Sequence, residues 1–231
     1  STTTNGTYKT GSTINITATL SEAATAAAQI TVTLDTGETV LLTHASSGTT
    51  LTGTYTVGAG VTSADLTVSS YALTSAPTDA AGNAMTSTTV PSGSSNIAGT
   101  SAIVIDTTAP TQTISGIHMS ADTGGSASDF TTKTASQTIT GTLSAALGSG
   151  ETLWGSLDGG TNYTDISSSV TSTAISWASA TLSGSSSIKF QVRDAVGNTG
   201  TTATQAYVLD TTAPTILSIS SSSSDATYKV G

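Results

Sequence analysis

A six-residue motif that occurs twice constrains the fold of this chain more than any other feature. The motif DTTAPT occupies residues 106–111 and again residues 210–215, so the two copies begin 104 residues apart. A second pair lies upstream of the two copies, with DAAGN at 79–83 and DAVGN at 194–198. A period of about 100 residues is typical of one immunoglobulin-type domain. The repeats therefore predict domains of that size.

A third pair of motifs joins the two ends of the chain. TYKTG at 7–11 returns as TYKVG at 227–231, a period of 220 residues. This longer period predicts two alternating domain types. The expected organisation is an immunoglobulin-like domain over residues 1–106 that lacks its first strand, a second such domain over 107–210, and the opening strand of a further one over 211–231.

Apolar residues alternate with polar ones along many short segments, as at Ile14, Ile16 and Ala18. A period of two places one side of a strand in a core and the other in water. Turn signals rich in glycine separate these segments, and several short strands at regular spacing predict an all-β fold of tandem immunoglobulin-like antiparallel β-sandwiches. The predicted strands are 13–20, 29–34, 39–43, 51–57, 66–73 and 101–105, followed by 111–119, 137–143, 152–157, 174–182, 188–193 and 202–209.

The charge balance excludes some functions and favours others. The chain has 14 acidic and 5 basic residues, a net charge of -9, and no cysteine. An acidic protein lacks the basic surface that nucleic-acid binding requires. No apolar run approaches the roughly 20 residues of a membrane span, so we expect neither nucleic acid nor direct membrane insertion. No nucleophile elbow and no Ser/His/Asp set is recognisable, so we do not expect an enzyme.

The predicted sandwiches place aspartates at the ends of the domains. The loop that begins at Asp194 should face Asp106 across the junction, while Asp122 and Asp129 should gather near Asp210. Calcium takes six to eight oxygen ligands from carboxylates, carbonyls and water, so these poles are candidate calcium sites. The candidate ligands are Asp106, Asp194, Asp210, Asp122, Asp129, Asp65 and Asn198, with Asp35, Glu38 and Asp158 as further candidates.

A plainer interpretation of the same aspartates is turn capping. Asp and Asn side chains routinely accept hydrogen bonds from the backbone two residues further on. Pro110 and Pro214 are expected to stiffen the connections that follow each domain, because proline fixes its own φ and restricts the preceding residue. Lys9 is expected to be a solvated strand residue, and Trp154 is expected to pack between the sheets.

Both halves of the chain resemble the bacterial immunoglobulin-like repeats of giant repetitive adhesins, including the repeats-in-toxin type. The second half has the fuller signature: ADTGGS at 121–126, LDGG at 157–160, RDAVGN at 193–198 and DTTAP at 210–214. The first half is similar to the swimming-motility type of long-protein repeat, with YTV at 55–57, SADL at 63–66 and DAAGN at 79–83. The resemblance implies extracellular modules at the bacterial cell surface, with calcium at the domain junctions.

The expected function is structural. The chain is interpreted as an extender segment that projects an adhesive tip, with calcium as cofactor and the neighbouring immunoglobulin-like domains as partners. The alternative is a binding module that contacts a glycan or another cell-surface protein, although aromatic residues make up only 4% of the chain. An unpaired strand is also a template for another chain. Head-to-tail strand exchange, with residues 213–220 completing the first domain of a neighbour, is therefore expected.

Overall fold

The computed structural model describes residues 1–44, 46–222 and 226–230, and their regular structure is almost entirely β. Three short 3-10 helices are the exceptions, at Gly93–Ser95, Ile97–Gly99 and Ser167–Ser169. The prediction of an all-β sandwich architecture is confirmed. No helix in the described ranges is long and apolar enough to cross a membrane.

The first half of the chain forms seven strands within the described residues. They are β1 (Gly6–Tyr8), β2 (Thr13–Ala24), β3 (Gln29–Leu34), β4 (Thr39–Thr43), β5 (Gly48–Thr56), β6 (Val68–Ser75) and β7 (Ile103–Ile105). Five of them form one sheet in the order β2-β5-β4-β3-β6, and β1 pairs in parallel with β7. Ser63 and Leu66, just before β6, also bond to β7, which joins this pair to the rest.

The second half forms nine strands in the same part of the structure. They are β8 (Ile114–Met119), β9 (Thr131–Thr132), β10 (Ser136–Leu143), β11 (Thr152–Ser156), β12 (Thr164–Asp165), β13 (Val170–Thr171), β14 (Ala174–Thr181), β15 (Ser186–Arg193) and β16 (Ala203–Leu209). One sheet has the order β13-β14-β10-β8 and the other β12-β11-β15-β16-β9. The strand β9 pairs in parallel with β16, as β1 does with β7.

Two separate hydrophobic clusters form the interior of the described chain. The buried members of one lie between Ile14 and Ile105, and those of the other lie between Met119 and Tyr207. Period-two alternation explains both, because Ile30, Val32 and Leu34 of β3 are all buried. The domain limits at residues 106 and 210 themselves stay a prediction.

The predicted strand map differs from the structure in particular places. The short strands β1, β9, β12 and β13 were not predicted, because segments of two or three residues are too short for a visible alternation. The strand predicted over 13–20 extends to Ala24 in the structure, with a register shift after Thr19. The tail was expected to contain a strand at 213–220, but residues 211–222 form no strand or helix in the structure.

Candidate functional site

Three loops of the described chain share one construction, in which an aspartate pairs with an asparagine four residues later. In the loop 194–198, Oδ1 of Asp194 accepts hydrogen bonds from the backbone N–H groups of residues 196, 197 and 198 at 2.9, 2.7 and 2.8 Å. Oδ2 accepts from Nδ2 of Asn198 at 2.8 Å. Gly197 has a φ of +88°, so the turn needs a glycine at this position.

The loop 79–83 of the first domain repeats this construction almost atom for atom. Asp79 accepts from the N–H groups of Ala81 and Asn83 at 2.9 and 2.7 Å and from Nδ2 of Asn83 at 2.8 Å. The loop that begins at Asp158 closes in the same way, since Nδ2 of Asn162 donates to Oδ2 of Asp158 at 2.7 Å. The carboxylates therefore act as fixed acceptors that shape their own loops.

These hydrogen bonds lower the pKa of the aspartates. The pKa of Asp79 is lowered from 3.8 chiefly by the Asn83 amide and then by the Asn83 backbone N–H. The pKa of Asp158 is lowered far below its ordinary value, first by the backbone N–H of Asn162. For Asp194, burial favours the neutral form, but the bonds from Asn198 and the neighbouring backbone outweigh burial and lower its pKa. All three side chains are held as anions at neutral pH.

The loop 194–198 also contacts the first domain. Nδ2 of Asn198 donates to the backbone oxygen of Asp106 at 3.0 Å, in addition to its bond within the loop. Nζ of Lys9 donates to the backbone oxygen of Gly197 at 3.1 Å. Just after this loop, a Cβ on Gly200 would lie 2.6 Å from the carbonyl oxygen of Pro110, so this glycine permits close approach to the connection that follows Asp106. We call this contact, made by Lys9, Asp106, Pro110, Gly197, Asn198 and Gly200, the junction.

The structure therefore brings Asp106 and the Asp194 loop together, as the sequence predicts, but through different atoms. The contact uses the Asn198 amide and the Asp106 carbonyl. The carboxylate of Asp106 accepts from the N–H of Thr108 at 3.0 Å, and that of Asp210 accepts from the N–H of Thr212 at 2.9 Å. Both are turn caps of the same kind.

Asp122 and Asp129 lie at the same pole of the second domain as Asp210. Asp122 accepts from the N–H of Phe130, and Asp129 from that of Thr131, each at 2.9 Å. The N–H of Asp210 donates to the carbonyl oxygen of Thr132 at 2.9 Å, so all three aspartates bond to the backbone of residues 130–132. Oδ1 of Asp122 is buried and has no hydrogen-bond partner in the structure.

The remaining candidate ligands lie in the first domain. Asp65 is exposed, and it stands between Ser63 and Leu66, whose backbones pair with β7. Asp35 accepts from the Ser63 hydroxyl at 2.6 Å, and Glu38 accepts from the Tyr55 hydroxyl at 2.5 Å. These carboxylates are used to tie loops to strands.

The carboxylates of Asp106 and Asp194 accept hydrogen bonds from their own loops, and their role as calcium ligands stays a prediction. Calcium needs six to eight oxygens, and no three His, Cys, Asp or Glu side chains gather anywhere in the described ranges. In the segment 121–131, the buried Oδ1 of Asp122 lacks a hydrogen-bond partner. There, Asp129 Oδ1 and the Thr131 carbonyl oxygen each lie 2.9 Å from where a Gly124 Cβ would stand.

The structure bears on two expectations about individual side chains. Lys9 is exposed, as expected, but it directly follows β1 rather than lying in a strand, and its Nζ contacts the Gly197 carbonyl. Trp154 was expected to pack between the sheets, but it is only half-buried, on the face of β11 opposite the buried Leu153. The Arg193 guanidinium lies 4.3 Å from its ring centroid and 5.2 Å from that of Tyr163. The recurrence of TYK at 7–9 and 227–229 could have indicated that Lys9 has a structural role. Its partner across the junction is 188 residues away and leaves no trace in the pattern.

Solved structures of other proteins align with most of this chain, at low sequence identity. No protein-family model matches the chain, and no curated protein matches it. Fibronectin(III)-like modules of Clostridium thermocellum CbhA align over 90% of this chain and 91% of theirs, at 15% identity and a TM-score of 0.33. A tetra-tandem repeat from the extending region of a large adhesion protein aligns over 88% of this chain, at 18% identity and a TM-score of 0.27. This chain covers 47% of that structure.

Proposed function

We propose that this chain is a structural extender segment of a large bacterial cell-surface adhesin, which holds an adhesive tip away from the cell. The observation that supports the proposal most directly is the junction. A spacer must transmit orientation from one domain to the next, and in a tandem array that property is set at the contacts between neighbours. Here the connection of residues 106–113 is held by side-chain and backbone contacts on both sides.

The junction contacts resist bending in complementary ways. The Asn198 amide donates to Asp106, the first residue of the connection, and the ammonium of Lys9, which directly follows β1, donates to the same loop. Gly200 packs against the carbonyl of Pro110, which is buried. Because Asp194 fixes the conformation of residues 196–198, the loop presents the Gly197 carbonyl and Asn198 amide in a preset geometry. Less entropy is then lost when the two domains dock.

The chemistry of the other carboxylates agrees with a structural role. They cap turns or tie loops to strands, and none of the hydrogen bonds described above leaves an acid beside a base in a cleft. The loops are therefore stiff, and a stiff module is what an extender requires. The location at the cell surface and the adhesive tip are parts of the proposal.

We include calcium at the domain junctions in the proposal, and the site that we assign first is the segment 121–131 at the end of the second domain. Asp122 and Asp129 would hold the ion, with the Thr131 carbonyl as a neutral ligand. Calcium would supply positive charge to a pole where Asp210 also lies. Calorimetric titration of calcium into chelator-treated protein tests this assignment. Binding that is lost in Asp122→Asn and Asp129→Asn but retained in Asp65→Asn supports it, and heat that is unchanged in all variants contradicts it.

Small-angle scattering of the full chain tests the spacer proposal. We compare the wild type with the double variant Lys9→Ala and Asn198→Ala, and the matched control is Lys229→Ala with Asn83→Ala. In the control, Lys229 is the repeat counterpart of Lys9 and Asn83 is that of Asn198, so the same residue types are replaced outside the junction. The proposal predicts that the distance distribution broadens in the first variant and not in the control. Identical distributions in all three proteins would show that the junction does not fix the domain orientation.

A further inference from the structure

The two domains differ at one sheet edge. In the second domain, β10 has β14 on one side and β8 on the other. In the first domain, its counterpart β2 pairs with β5 and forms the edge of its sheet. The inward-facing residues of β10 are buried along its whole length, with Gln137, Ile139 and Leu143 at most 2% exposed. In β2, Ile14 and Ile16 are buried, but Ala18 and Leu20 are only half-buried.

A groove runs along this edge of β2. Its first part has a volume of about 480 Å³ and lies between β2 and the segment that contains the two short helices at 93–99. A second part of about 370 Å³ continues beside residues 19–24 and the loop 79–83, and the two parts share Thr19, Leu20 and Met85. The apolar side chains that line the first part include Ile16, Ala18, Leu20, Val68, Tyr71 and Val90.

The backbone of β2 has hydrogen-bonding groups on the edge that faces away from β5. The N–H of Asn15 donates to the hydroxyl of Thr3 at 2.8 Å, so it points away from the β5 partner strand. Successive N–H groups of a strand point to opposite edges, so those of Thr17 and Thr19 point the same way as that of Asn15. An edge of this kind is a template for one more strand.

The chain itself carries a segment of matching character. Ile216, Leu217 and Ile219 are 79%, 94% and 88% exposed, although three large apolar residues within four positions normally cover a core. This segment follows the DTTAPT motif, as β8 does after its first copy. The TYK motif comes next at 227–229, and its first copy at 7–9 overlaps β1. The strands β1 and β9 are equivalent, since each pairs in parallel with the last strand of its domain. The tail therefore has the same order of segments as the start of the second domain, where β8 is followed by β9.

We propose that the groove along β2 binds residues 215–220 from the tail of a second copy of this chain. The tail strand pairs antiparallel to β2, as β8 pairs with β10. Backbone bonds supply affinity, and the apolar side chains of the tail enter the space beside Ala18 and Leu20. Because the tail of one copy occupies the groove of the next, the contact is head-to-tail and does not close on itself. This inference rests on the groove and the tail, and it is independent of the spacer proposal.

Sedimentation velocity of the full chain over a wide concentration range is the first test. The weight-average sedimentation coefficient should rise with concentration. Leu217→Asp with Ile219→Asp should weaken this association by at least about tenfold, because two apolar side chains no longer leave water. The matched control places the same charges at exposed residues of the second domain, as Ser183→Asp and Thr201→Asp. A wild type that stays monomeric at every concentration, or equal association in both variants, overturns the proposal.

Disulfide trapping locates the contact, since the chain has no cysteine of its own. A copy with Ser218→Cys is mixed with a copy that carries Asn15→Cys, Thr17→Cys or Thr19→Cys, and the mixture is oxidised. Cross-linking should peak at one of these three positions, because a disulfide requires Cα atoms within about 7 Å. Ser70→Cys, on the exposed side of β6, is the control. Cross-linking no greater than at the control, or a cross-link formed only within one chain carrying both substitutions, contradicts binding in trans.

Discussion

The two copies of the DTTAPT motif have the same sequence and the same local structure, but their surroundings differ. In both, the aspartate N–H donates to a carbonyl of the parallel-paired segment, from Asp106 to Tyr8 at 3.0 Å and from Asp210 to Thr132 at 2.9 Å. In both, the carboxylate caps the residue two positions later. Yet Pro110 is buried and Pro214 is exposed.

The difference comes from the loop that meets the first copy. Asn198 and Gly200 contact residues 106 and 110, whereas residues 211–222 are exposed in the structure. The hydrogen bonds within the motif therefore determine the turn. The junction depends in addition on contacts from the domain that follows. Four tests separate these two contributions.

The largest effect is expected from acid, which acts on several loops at once. The pKa of each of Asp79, Asp158, Asp165 and Asp194 is lowered from 3.8 in the folded protein. Their stabilisation is fully present above pH 3.8, the ordinary value, and is lost as the pH falls below it through the folded values. Three of the four lie in the second domain, so calorimetry between pH 7 and 2 should show that domain losing more stability. An equal loss in both domains would contradict the loop account.

The next test introduces a methyl group into the junction. Gly200→Ala places a Cβ 2.6 Å from the Pro110 carbonyl oxygen, so the backbones must separate. Overpacking of this kind costs about 1–3 kcal/mol. Gly125→Ala is the control, because nothing lies within 4 Å of its Cβ position. Thermal unfolding should show the loss in the first variant alone, and equal melting temperatures would mean that the close approach is not required.

A matched pair of asparagines measures the junction bond itself. Asn83→Ala removes the side-chain bond within its loop, and Asn198→Ala removes the same bond plus the one to Asp106. The second substitution should cost about 0.5–1.5 kcal/mol more, the usual net contribution of one hydrogen bond. Chemical denaturation of both variants gives the difference, and a difference near zero would show that the interdomain bond adds no stability.

The smallest effect is expected from the prolines of the two motifs. Pro110→Ala should destabilise the protein by about 0.4–1 kcal/mol, because the unfolded chain gains freedom and a buried ring is lost. Pro214→Ala should leave the melting temperature unchanged, since Pro214 is exposed in a segment outside both cores. Equal changes in melting temperature for the two substitutions would show that the difference in burial between the two prolines has no effect on stability.

The sequence predicts much of this fold, because alternation over five or more residues is a strong signal. The strands Gln29–Leu34 and Thr39–Thr43 have the predicted bounds, as does the end of β8 at Met119. The two-residue strand β9 could not be predicted, because its pairing depends on β16, which lies more than 70 positions away. Local sequence carries no information about such a partner.

The sequence predicted where the candidate site lies but not which atoms make contact there. The repeats and the sandwich topology correctly predicted that Asp106 and the loop of Asp194 face each other. The role of the Asn198 amide and the Lys9 ammonium was missed, because an asparagine after glycine is equally typical of a plain turn. The calcium ligands predicted at Asp106, Asp194, Asp210, Asp122, Asp129, Asp65 and Asn198 stay a prediction.

The central claim is that the junction fixes one domain relative to the other, and a distance measurement between spin labels tests it most directly. Ser70→Cys on β6 and Thr181→Cys on β14 offer exposed sites in a chain that has no other cysteine. Pulsed electron resonance on frozen solutions of this chain should give one narrow distance distribution, which broadens when Lys9→Ala and Asn198→Ala are added. A broad distribution in the otherwise unchanged protein, no wider after the two substitutions, would contradict the account.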